Sequence, residues 1–212
     1  MKKIFIFIIF SFTAGFVHCQ IKSNATTCKA YRNSLDFNNN IPLFTADFFF
    51  TKKNNNKVPD LYKVKSVLNK INKRTIKNTV WGLYSDSTFY LNIGRLGMVN
   101  GYVKIPKLKN YSYFRGSPVK SINQEARIIN ASVNFGLIGG AVSGSIVEKE
   151  NRNNIHYILN TKTGMINCLN RNYLIRVLQP YDDLLFYFQI EKDKDSLEVL
   201  LHYIDLLNKK ME

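Results

Sequence analysis

The sequence predicts an α+β chain: an antiparallel β-meander sheet, a glycine-rich apolar helix or hairpin, then C-terminal helices. Three observations carry this. Short runs of period-two alternation, separated by turn residues, fill the middle of the chain. Phe135 to Val147 reads FGLIGGAVSGSIV, inside a stretch from Ile128 to Val147 that carries no charge. The last third is punctuated by helix-capping residues and ends in an amphipathic run. Sheet first and helices last is the α+β order.

The first 19 residues read as a secretory signal peptide. Lys2 and Lys3 make a positive start, Ile4 to Phe16 is mostly apolar, and small or polar residues follow. The apolar run is short for a membrane anchor, which needs about 20 residues. Val17 and Cys19 fit the −3 and −1 positions of a cut before Gln20. The alternative makes Cys19 the lipidated first residue of a bacterial lipoprotein, tethered without spanning the bilayer.

The chain has 212 residues and a net charge of +15. Removing residues 1–19 takes away Lys2 and Lys3 and leaves 193 residues at +13. That length fits one domain with its own core. The charge suits an anionic envelope surface as a partner, although an excess of Lys beside many Asn also has a plain compositional reading. No specific nucleic acid or small-molecule ligand is indicated. Cys28 and Cys168 remain after the cut. An exported chain meets oxidising conditions, so two readings stay open, a Cys28–Cys168 disulfide or two thiols.

Residues 20–57 look irregular, with Asn38-Asn39-Asn40 and Pro42 as breakers. Within them Thr45-Ala-Asp-Phe-Phe-Phe reads as a short helix capped by Thr45. The single α+β domain then runs from 58 to 212. Leu61 to Val67 alternates as a strand. Thr79 to Tyr84 and Thr88 to Ile93 form a hairpin around Ser85-Asp86-Ser87. Trp81, Leu83, Phe89 and Leu91 are expected on one face of it. Tyr102 to Ile105 and Tyr111 to Phe114 continue the meander.

The glycine-rich segment 128–147 has three readings. It is long enough for a membrane span, but four glycines, two asparagines and three serines work against insertion. As a hairpin, Gly139-Gly140 makes the turn. As a helix, Gly136, Gly140 and Gly144 form a bare packing ridge, through which the chain could pair with itself. After it, His156 to Asn160 and Met165 to Leu169 flank a turn at Thr161–Gly164. Asn170 caps Tyr173 to Gln179, and Tyr181 to Lys192 follows. Ser196 to Lys209 places Leu197, Leu200, Leu201, Ile204 and Leu207 on one face.

WGLYSDSTFYLNI, KNYSYF, the Gly-Gly segment, YILNTKTG and LLFYFQIEKDKDSLEVLLHYIDLLN occur in that order. In these motifs the chain resembles a family of uncharacterised exported proteins of Bacteroidota bacteria, over about residues 60–210. The resemblance implies an envelope location and carries no catalytic residues.

Chemistry-bearing motifs are sparse. His156 opens a strand and His202 lies on a polar helix face; neither sits at ligand spacing from Cys, Asp or Glu. There is no nucleophile elbow and no P-loop. Asp182 and Asp183 suit a helix N-terminus. No catalytic, cofactor or metal residue is therefore assigned. The expected function is an exported, non-enzymatic binding or assembly module of the cell envelope. The alternative is a hydrolase of an envelope polymer, with carboxylates such as Asp86 or Asp182 assembled only by folding.

Overall fold

The computed structural model describes residues 25–106, 108–118 and 155–212. The signal segment, Cys19 and the glycine stretch 128–147 lie outside the described residues. Nine strands and five α-helices are described: β1 Thr26–Tyr31, α1 Ser34–Asn38, β2 Phe44–Lys52, β3 Leu61–Ser66, α2 Lys73–Asn78, β4 Gly82–Ser85, β5 Thr88–Asn92, β6 Tyr102–Ile105, β7 Tyr111–Arg115, β8 His156–Asn160, β9 Ile166–Cys168, α3 Arg171–Leu178, α4 Asp182–Ile190 and α5 Leu197–Lys210.

The expected single meander is two sheets. Six strands close a barrel in the order β1-β2-β3-β6-β5-β4, and β7-β8-β9 form a separate three-stranded sheet. Every strand pair is antiparallel. Closure removes the edges that an open sheet of six strands would expose.

The barrel corrects the reading of 20–57 as irregular. Cys28 and Ala30 of β1 lie opposite Ala46 and Phe44 of β2. The stretch from Thr45 that reads as a capped helix is the second strand. Phe44, Ala46, Phe48 and Phe50 alternate inward, and Phe48 is fully buried. Tandem phenylalanines at 48–50 mask this period of two, and their strong β-preference outweighs a lone Thr cap. The helix α2 fills one end of the barrel with Ile76. Its last carbonyls are met from inside. Asn92 Nδ2 donates to Ile76 O and Lys77 O at 3.2 and 3.1 Å and to Val80 O, just past the helix, at 2.8 Å, and Tyr102 Oη donates to Ile76 O at 2.6 Å. Burial pushes the Tyr102 phenol well above its ordinary pKa.

The β4–β5 hairpin forms as expected, with Ser85 opposite Thr88 and a two-residue turn. Asp86 and Ser87 both have positive φ, 44° and 66°, the geometry that matches strand twist. The shared-face expectation needs correction. Trp81, Phe89 and Leu91 pack outside the barrel, whereas Leu83 points into it with Tyr90. Gly82 lies under the Phe89 ring, where a Cβ would sit 2.1 Å from Phe89 Cζ. The chain thus places an aromatic ring where a side chain at 82 would stand.

Three cores stack in layers. One fills the barrel. The second lies between the outer barrel wall and one face of the β7-β8-β9 sheet, where Val103 and Ile105 meet Phe114, Tyr157 and Leu159. The third joins the opposite face of that sheet, through Ile158, to α3, α4 and α5. Asn170 caps α3 as expected, accepting from Tyr173 N at 2.8 Å. Leu200, Ile204 and Leu207 of α5 are buried as its periodicity predicts. Asp183, in the first turn of α4, pairs with Lys210 at the end of α5.

Candidate binding cleft

Between the barrel wall, β7 and α5, a cleft of about 460 Å³ opens. That size lies within the usual range of ligand pockets, about 300–1,000 Å³. One wall is barrel: Pro59, Asp60 and β6. The other is the whole of β7, and α5 closes the cleft with Leu201, Ile204, Asp205 and Asn208.

The side chain of Asn208 behaves as a piece of strand. Its Oδ1 accepts from Tyr111 N at 2.8 Å, and its Nδ2 donates to Tyr111 O at 2.8 Å. Both backbone groups of an edge residue are thereby satisfied from a helix. Asn208 itself is 2% exposed. Ser112 Oγ closes the preceding turn, accepting from Lys109 N at 2.8 Å.

Among the described residues two carboxylates line the cleft, and both are paired with lysines. Asp60 pairs with Lys52 at 3.3 Å. Asp205 pairs with Lys109 at 2.6 Å and Lys209 at 3.3 Å, which holds its carboxyl below the usual range. Asp205 therefore stays ionised and is poorly suited to donate a proton. Arg115 is placed differently. Its Nε is buried with no hydrogen-bond partner among the described residues, and no carboxylate pairs with it there. Leaving a guanidinium N–H without an acceptor is costly, and among the described residues no carboxylate offsets the Arg115 charge. Lys104 also lines the cleft, opposite Tyr90 in the β5–β6 register.

Beside Arg115, Tyr113 Oη and His156 Nδ1 lie 2.8 Å apart, with the rings stacked. Burial and the Arg115 charge hold the His156 pKa down. The lowered pKa favours the neutral imidazole at pH 7. His202 sits exposed on α5 against the Tyr203 ring. Among the described residues, no three His, Cys, Asp or Glu side chains gather as metal ligands, and no helix is long and apolar enough to cross a membrane.

A family model described as a family of unknown function, DUF6563, matches residues 29–211. The chain belongs to the DUF6563 family. The match takes in both sheets and all five helices. A search of curated proteins and a search of solved structures each find no match.

The residues singled out from the DUF6563 sequence fall away from the cleft. Asp86 is in the β4–β5 turn and Asp182 at the start of α4; neither lines it. Cys28 faces the barrel interior as a free thiol, pushed up to about 12 chiefly by burial. Cys168 belongs to β9 and packs against the core between barrel and sheet. Gly136, Gly140 and Gly144 lie outside the described residues. Sequence reasoning did not select Arg115, Lys109 or Asn208. The signal for Asn208 is faint: an Asn in line with the apolar stripe of a helix, one position past Leu207.

Proposed function

We propose that this DUF6563 chain is an exported, non-enzymatic binding protein of the cell envelope whose cleft takes an anionic ligand. The observation that carries the binding reading is Arg115: a residue of the cleft wall whose guanidinium Nε is buried and lacks an acceptor among the described residues, where both described cleft carboxylates already belong to lysines. Charge supports it further, since Asp205 answers two lysines and leaves that cluster cationic. The amino-terminal pattern supports export, and the Gly136, Gly140 and Gly144 repeat supports self-association as a second mode of assembly.

Calorimetric titration with glutarate and inorganic phosphate tests the cleft. At least one should bind, and Arg115→Gln should weaken it about tenfold or more, the worth of a charge-assisted hydrogen bond. Equal binding by the variant would remove the cleft from the proposal. Mass spectrometry of the native protein tests export. The expected amino terminus is Gln20, or a lipid-modified Cys19; recovery of Met1 would refute the export reading.

A further inference from the structure

The cleft wall is a strand edge. In the order β7-β8-β9, β7 has a neighbour on one side only among the described strands. Even-numbered residues face β8: Asn110 O accepts from Thr161 N at 2.9 Å, and Gly116 N donates to Ile155 O at 2.8 Å. In an antiparallel pair the alternate residues turn their N–H and C=O outward. Those are Tyr111, Tyr113 and Arg115. Asn208 satisfies Tyr111. The backbone groups of Tyr113 and Arg115 have no partner among the described residues, and both residues line the cleft.

We propose that the cleft binds an extended acidic peptide segment, which adds as a strand to β7 at Tyr113 and Arg115 and sets a carboxylate on the Arg115 guanidinium. This rests on the anion-binding reading and says what bears the anion. Two N–H donors and two C=O acceptors at a two-residue spacing match an extended backbone, and a small anion would leave the acceptors unused. Asn208 sets the register, because it ends the open ladder at Tyr111. Acidic character follows from Arg115 at one end and the Lys109–Lys209 pair around Asp205 at the other.

The test compares the peptide acetyl-VEVEV-amide, the same peptide N-methylated at alternate residues in either register, glutarate and phosphate. The expected result is that the parent peptide binds and one N-methylated register loses at least tenfold. Arg115→Gln weakens the parent peptide by a similar factor. Bound peptide slows hydrogen exchange of the Tyr113 and Arg115 amides at least tenfold, while Tyr111, already bonded to Asn208, changes little. If glutarate or phosphate binds through Arg115 but neither N-methylated register weakens the peptide, strand addition is refuted and the anion-binding reading stands. If neither peptide nor anion binds, both fall. A stable dimer by sedimentation, with the Tyr113 and Arg115 amides already protected and no peptide binding, would assign the edge to a second copy and overturn the proposal.

Discussion

Trp81→Ala should destabilise the fold by about 3–5 kcal/mol, the usual cost of emptying a large aromatic site. Trp81 is 4% exposed. Its ring centroid lies 5.0 Å from Phe89 and 6.3 Å from Phe37. Phe37 in turn contacts Tyr31, Tyr84 and Phe89 edge-on. The indole therefore joins α1, β1 and the β4–β5 hairpin on the outer barrel wall. The site cannot collapse, because its floor is the barrel itself. Trp81 N also donates to Tyr31 O, and Trp81 O accepts from Asn92 N, so the backbone stays tied and a cavity remains. Since Trp81 is the chain's one tryptophan, urea unfolding of the variant is followed by circular dichroism. A lower midpoint with an unchanged slope is the expected outcome. An unchanged midpoint would show that this aromatic cluster does not hold the barrel to α1.

The same cluster shows what the sequence could and could not reveal. The β4–β5 hairpin was legible because alternation, turn residues and length agree within 15 residues. Strands β3, β6, β7 and β8 were legible for the same reason, and α3 and α5 through Asn170 and the leucine stripe. Closure was not. It depends on β1 pairing with β4 and on β3 pairing with β6, contacts across tens of residues that no local pattern encodes. The polar, Asn-rich stretch 20–57 hides β1 and β2, and a barrel short of two strands reads as an open meander. The face of Leu83 is hidden from the sequence for a related reason. A hairpin seen alone has one buried face, whereas this one has barrel core on one side and a second sheet on the other. The cleft was less legible still. Arg115 acquires meaning only because β7 is an edge, and Asn208 only because α5 ends beside Tyr111.

That last contact sets the other large expectation. Asn208→Leu keeps roughly the shape of the side chain and removes both of its hydrogen bonds. Tyr111 N–H and C=O are then left against a helix that excludes water. Each buried unsatisfied group costs about 1–3 kcal/mol, so the variant should lose about 2–6 kcal/mol. Asn208→Asp separates the two bonds by pH. Its ionised carboxylate still accepts from Tyr111 N, but it faces Tyr111 O with no proton to give. Protonated, it donates to that carbonyl and restores the pair. Burial and the opposed carbonyl both raise the carboxyl's folded pKa above the unfolded value of about 3.9. Stability relative to the wild-type chain is therefore fully present below about pH 4 and is lost as pH rises through the folded pKa. Urea midpoints of both chains between pH 3.5 and 8 give the measurement. The difference between them should widen with pH and then level off. A pH-independent difference would mean that Asn208 fills space at the end of α5 without serving as the last rung of β7.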